Sequence, residues 1–278
     1  MTAANGNLLG YLDRALIEAA YAAAPGNEIA SGKFLSPESS AALAANAFGP
    51  FFAAPALLPP IPGTGTAFWP AVKVTPEAIV RFPWSGGRHP CIDALVETPD
   101  ALIGVESKRY EPWRPKGKPS FSEAYWREGS WGPCMRGYQS IRDDLRDGVA
   151  DFRHLDAAQL IKHALGLRTA AVTSRRAAFL VYLFTEPEAW PDGRPVPARA
   201  IARHRAEAAA FEARVQANDV RFVPLSYGEL LGVWRNDPSE QVRDHAQALR
   251  DHFLSHAGGA GAGPEPLWRT DDCPETPQ

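Results

Sequence analysis

Apolar positions change period along this chain, and the changes mark its elements. Leu8, Leu12, Leu16, Ile17 and Ala20 recur at helical spacing and predict a helix over 8–23. Ser36-Pro37, a capping residue followed by proline, predicts a second helix running to about Ala47. The segment "GPFFAAPALLPPIPGTG" is too rich in Pro and Gly to be anything but loop. Four strand-like runs follow: "AVKV", "AIVRF", "CIDALVE" and "ALIGVESKRY". Their joints hold Pro, Gly and Asp, as hairpin turns do. A long irregular stretch separates Glu111 from about Arg136. Helical patterns then cover 137–147 and 156–166, and "AAFLVYLF" (177–184) reads as a buried strand. An Ala/Arg/Glu-rich helix over about 198–217, the short strand "VRFVPLS", and helices near 226–235 and 238–255 complete the pattern.

The order α, α, β-meander, α, β, α, β, α, α predicts an α/β fold with one mixed sheet flanked by helices. A length of 278 residues allows one domain over 1–257, with a helical elaboration at 198–257. The tail 258–278 has the composition of a disordered segment. No run approaches 18 apolar residues, so no membrane span is expected, and the N-terminus does not read as a signal peptide. Cys91, Cys134 and Cys273 lack metal or redox spacing, which makes a reduced, cytoplasmic setting the default. The net charge of -3 excludes a general polyanion binder, so any nucleic-acid contact must come from a local patch. There is no phosphate-cradling loop with its lysine, no HExxH and no zinc-finger spacing.

Candidate chemistry concentrates in "CIDALVETPDALIGVESKR". Strand alternation places Gly104, Glu106 and Lys108 on one face and Ile103, Val105 and Ser107 on the other. If the two runs pair as a hairpin, Asp93 approaches Glu106. Two adjacent carboxylates repel and are costly to bury, and a hard divalent cation such as Mg²⁺ resolves the conflict. A lysine beside the cation can hold a water or neutralise a phosphate, the parts that metal-assisted phosphodiester hydrolysis needs. The Glu-x-Lys spacing is weak evidence by itself: with 32 acids in 278 residues, six lysines give roughly 0.7 chance matches. A solvated strand face with a cross-strand ion pair fits the same spacing.

These residues resemble the PD-(D/E)XK nuclease superfamily, the restriction-endonuclease-like fold. Its core is α-β-β-β-α-β, with one acid on the second strand and Glu-x-Lys on the third. The order here agrees: helix 37–47, strand near 78–83, strands 91–97 and 101–110, helix 156–166 and strand 177–184. The residue before Asp93 is Ile92, not proline, at a position that varies in the superfamily. "SPESSAALAANAFGPF", "DAAQLIKHALGLR" and "AAFLVYLFTEP" are similar to a bacterial restriction-endonuclease-like branch, extending the resemblance over roughly 36–190.

The resemblance implies a metal-dependent nuclease, with DNA as the expected substrate and catalytic Asp93, Glu106 and Lys108. Asp93, Glu106 and the backbone carbonyl of Ser107 would hold Mg²⁺ or Mn²⁺, and Gln159 and Lys162 would support the site. Glu38 and Asn46 are candidates for a further contribution from the first core helix. Glu38 is equally suited to the first turn of a helix. Glu97, four residues beyond Asp93, would lie about 13 Å away. His163 reads as structural. The insertion after the catalytic strand carries six cations against three acids, interleaved with aromatics. Arg109, Trp113, Arg114, Lys116 and Lys118 are its candidate nucleic-acid contacts, although a packed surface loop fits as well. A homodimer is possible, since double-strand cutters often need two sites. The rival readings are a non-catalytic nucleic-acid-binding protein that retains the fold, and an interaction protein docking through the insertion.

Overall fold

The computed structural model describes residues 7–26, 28–114, 116–117 and 119–254. Five strands form one mixed sheet in the order β1-β2-β3-β4-β5: Lys73–Ile79, Cys91–Glu97, Ala101–Lys108, Ala177–Phe184 and Val220–Ser226. The first three are antiparallel neighbours, whereas β3-β4 and β4-β5 are parallel. The hairpin between β2 and β3 closes through Thr98, whose amide donates to the Ala101 carbonyl while its hydroxyl accepts from the Ala101 amide at 2.8 Å. Parallel neighbours need long crossovers, and helices within both crossovers pack on the sheet.

Helices α1 (Arg14–Ala23) and α2 (Ser40–Phe48) precede the sheet; α3 (Arg136–Asp147) and α4 (Ala157–Ser174) lie between β3 and β4. Helix α5 (Ala198–Val215) joins β4 to β5, and α6 (Tyr227–Trp234) and α7 (Glu240–Leu249) follow. On one face Phe48, Phe51, Leu230, Trp234 and Leu249 pack on Ile103, Val105 and Val181. On the other, Tyr138, Ile161, Leu165 and Phe211 pack on Leu102, Leu180 and Phe222. Leu12, Ile17 and Phe34 cover the outer side of α2 through Ala41 and Ala45.

The expected mixed sheet and its α-β-β-β-α-β order are present. Several boundaries differ for local reasons. Asp13 caps α1 by accepting from the Leu16 amide, so the helix starts at Arg14. Ser39, not Ser36, accepts from the Ala42 amide and starts α2. The runs "AVKV" and "AIVRF" are not two strands; β1 passes straight through Pro76, which an edge strand tolerates. The insertion is partly ordered into short 3₁₀ turns at Glu111–Trp113 and Glu123–Trp126. The tail from 258 lies outside the described residues.

Candidate active site

The side chains of β3 divide between the two faces of the sheet. Ile103 and Val105 join the α2 side, and the Ser107 hydroxyl lies 3.4 Å from the Ser40 carbonyl at the start of α2. Leu102 joins the α4 side, and Gly104 faces Leu167 of α4. A Cβ at Gly104 would come within 2.7 Å of the Leu167 side chain and 2.8 Å of Ile92. Glycine thus lets α4 lie close to the strand just before Glu106. Glu106 is buried on that same side. Its Oε1 lies 2.5 Å from Lys108 Nζ. His163, on α4, brings Nδ1 within 3.1 Å of Glu106 Oε2, although the atoms are not aligned for a hydrogen bond.

The β2-β3 ladder runs from Glu97↔Leu102 to Ala94↔Val105 and stops there. Beyond it, Asp93 Oδ2 takes over and accepts from the Ser107 amide at 2.6 Å. Lys108 directs its carbonyl the other way, to the Thr185 amide beyond β4 at 3.0 Å. The amide and carbonyl of one strand residue point to the same side, so the Ser107 carbonyl faces the gap spanned by Asp93. The Ser107 hydroxyl is held on the opposite face by Tyr227 Oη at 2.8 Å.

A third acid belongs to the surroundings. Pairs Pro76↔Ala94 and Ala78↔Ile92 flank Glu77 and Asp93, placing these two opposite each other. Glu77 has φ +47° in a strand that is otherwise extended. At this kink the core-facing positions change side: Val74 and Val96 pack toward α2, whereas Val80 and Ile92 pack toward α4. Glu77 Oε2 accepts from the Cys91 thiol at 3.3 Å.

Charge balance differs sharply between the two central acids. Burial pushes the Asp93 carboxyl well above the usual carboxylate range; Glu106 pushes it the same way, and Lys108 opposes. Burial also opposes ionisation of Glu106, but Lys108 and His163 outweigh it and hold the group at about 2. Lys108 is likewise buried, yet Glu106 and Asp93 keep its ammonium charged. Burial raises Glu77 as well. Asp93 retains some contact with solvent at the open strand end despite the protein around it.

Two closely placed carboxylates and a main-chain carbonyl facing the same gap form a hard-oxygen donor set that suits Mg²⁺ or Mn²⁺. No cluster of three His, Cys, Asp or Glu side chains is placed to hold a metal among the described residues. The fit therefore rests on two side chains and the backbone.

The remaining candidates are spread more widely. Gln159 is half-buried one turn before His163, with its amide capped by Asp156. Lys162 rests 5.4 Å from the centre of the Phe121 ring. With Lys116 it lines a cavity of about 340 Å³ at the start of α4. Burial depresses the Lys116 pKa and nearby Lys108 adds to that effect. Arg109 and Trp113 are buried rather than displayed on a surface loop, Trp113 lying edge-on to His204. Arg114 pairs with Glu38, and Lys118 lies outside the described residues. Asn46 ties down the N-terminal segment by accepting from the Leu9 amide and donating to the Asn7 carbonyl. Glu97 pairs with Lys73 and Arg176 at the far end of β2.

Sequence reasoning missed Glu77, because Pro76 made its strand look like a joint. It also treated His163 as structural, although i, i+4 spacing from Gln159 placed it on the implicated helix face. Glu111 was counted only as a charge in the insertion. Its carboxylate accepts from the Arg109 and Tyr110 amides and from the Ser40 hydroxyl, closing the end of β3.

No helix among the described residues is long and apolar enough to cross a membrane. No curated protein and no solved structure matches the chain. A family model described as "Restriction Endonuclease associating with ARP" matches residues 16–254, a span that includes the five-stranded sheet, both central acids and Lys108. The chain belongs to this restriction-endonuclease-like family.

Proposed function

We propose that this protein is a metal-dependent nuclease of the PD-(D/E)XK type, hydrolysing phosphodiesters of nucleic acid, with DNA as the favoured substrate. The observation that carries this reading is the parting of β2 from β3 at Asp93 and Glu106, with Lys108 one alternation further on. A solvated ion pair on a strand face does not account for a buried Glu106 and a half-buried Asp93 set against one lysine.

Asp93, Glu106 and the Ser107 carbonyl would hold Mg²⁺ or Mn²⁺. The bound ion would supply Lewis acidity toward the phosphate oxygens. Lys108 would orient the attacking water, with Glu106 fixing its ammonium. His163 would hold the far oxygen of Glu106 in place from α4. Glu77 adds negative charge behind Asp93 and so strengthens the attraction for a dication. Lys116 and Lys162 line the cavity at the start of α4, the helix that carries His163 to Glu106, and can neutralise phosphates there. The family's description as associating with ARP supports a protein partner for this chain as well.

The test is incubation of the purified protein and its Glu106→Gln variant with supercoiled plasmid, linear duplex, single-stranded DNA and RNA. Cleavage in Mg²⁺ or Mn²⁺ that is absent in EDTA and absent in the variant supports the reading. Cleavage that survives both removes it.

A further inference from the structure

Arg109 follows Lys108 directly but faces the other side of the sheet, and its guanidinium is in an unusual position. The residue is only 9% exposed. Its backbone is fixed at both ends: the amide donates to Glu111 at 2.8 Å and the carbonyl accepts from the Thr185 hydroxyl at 2.5 Å. The side chain has no such anchors. Nε is buried without a hydrogen-bond partner, and Glu111 and Glu38 act on the guanidinium as neighbouring charges without a hydrogen bond to it among the described residues. Its neighbours are rings, with Phe253 at 4.7 Å and Tyr110 at 5.5 Å from the guanidinium carbon. Ring faces attract a cation but give its N–H groups little directional bonding.

A guanidinium cannot shed its charge at any ordinary pH. A buried guanidinium N–H without an acceptor is therefore a standing cost unless an anion comes to it, and here that N–H is Nε. Arg109 lines a cavity of about 260 Å³ together with Tyr110, Trp190, His252 and Phe253. Trp190 is already stacked on Tyr110 at 5.3 Å and carries Arg114 and Arg194 at 5.1 and 5.6 Å. Its faces are occupied, so the cavity offers no free platform for a base. It offers a cation in an aromatic frame, with a histidine alongside.

We propose that this cavity is a phosphate-binding subsite, with Arg109 as its principal donor. The group would come either from a nucleic-acid strand held at Asp93, Glu106 and Lys108 or from free phosphate. The strand as source rests on the nuclease reading: Arg109 directly follows Lys108 at the end of β3, where a strand crossing that end of the sheet would pass from one face to the other. A planar guanidinium fork suits phosphate oxygens.

The experiment is thermal unfolding in EDTA, where metal-dependent cleavage plays no part. The probes are orthophosphate, a 12-nucleotide single strand with a 5′-phosphate, the same strand with a 5′-hydroxyl, and an acidic peptide. The proteins are wild type, Arg109→Met and Arg109→Lys. Without ligand, Arg109→Met should melt no lower than wild type, since it removes a largely buried cation whose Nε has no acceptor. Wild type should gain about 5 °C or more at a hundredfold excess of ligand over Kd. Arg109→Met should gain nothing, and Arg109→Lys should gain less than wild type. A rise with both strands but not orthophosphate assigns the group to the strand backbone. A rise with orthophosphate assigns it to free phosphate, and a rise with the 5′-phosphate strand alone assigns it to a strand end. An equal rise in all three proteins overturns the subsite, as does a rise with the peptide alone. If Arg109→Met does not fold, an undiminished response in Arg109→Lys overturns the fork-specific role. Loss of the nuclease reading would appear in the cleavage assay and leave these melting shifts unchanged.

Discussion

Asp93 takes the place of a missing rung: its carboxylate accepts from the Ser107 amide at 2.6 Å where the β2-β3 ladder has ended. One oxygen is thereby committed to holding the strands at a fixed separation. The other is available beside Glu106. The parting of the strands and the pairing of the acids are one structural event.

Asp93→Asn should separate these two roles. The amide oxygen can still accept from Ser107, but the ionisable charge is gone. Because the native carboxyl is raised by burial and by Glu106, it lowers stability at neutral pH relative to the unfolded chain. This cost is relieved as pH falls from the raised native value toward the ordinary carboxylate range, and is absent below it. At pH 7 without metal, Asp93→Asn should therefore melt at or above the wild-type temperature. In Mg²⁺ its cleavage should fall by about 10²-fold or more. Melting curves and cleavage rates from one preparation check both.

Gly104→Ala tests how closely the site-bearing strand must approach α4. The added carbon would meet Leu167 at 2.7 Å and Ile92 at 2.8 Å. Overpacking at such a place costs ~1–3 kcal/mol. Urea unfolding should show that loss, and cleavage should fall as well, because α4 carries His163 to Glu106.

His245 gives a pH-dependent expectation away from the site. Tyr11 Oη lies 2.7 Å from its Nδ1 and the Ala47 carbonyl 3.2 Å from its Nε2. Burial pushes its pKa down to about 4. Buried His204 is also pushed down to about 4. The unfolded chain takes up these protons near pH 6.5, before the native state does. The histidines therefore cost nothing above that pH, and stability declines as pH falls from about 6.5 to 4. Each contributes a loss of order 3 kcal/mol across that window. His245→Gln should flatten the decline of melting temperature measured from pH 7 to 4.5.

Residues whose role follows from period were legible in the sequence. Alternation alone put Gly104, Glu106 and Lys108 on one face, and the structure places them there. It did not show that Gly104 makes room for Leu167, because that depends on where α4 lies. Glu77 could not be read, because its relation to Asp93 arises from cross-strand register and a local positive φ. From its composition the aromatic insertion fitted a nucleic-acid contact surface and a packed loop equally well. Trp113 and Tyr125 pack inward, and Arg109 is enclosed by rings. Composition records which groups are present, and tertiary packing decides which way they face.

The central claim is that Asp93 and Glu106 hold the metal while Lys108 serves the chemistry. It is tested most directly by measuring Mn²⁺ affinity and cleavage together in Lys108→Ala. The account predicts metal binding no weaker than in wild type, since Lys108 no longer competes for Glu106, with cleavage reduced by about 10²-fold or more. Cleavage equal to wild type, or metal binding lost along with Lys108, would contradict it.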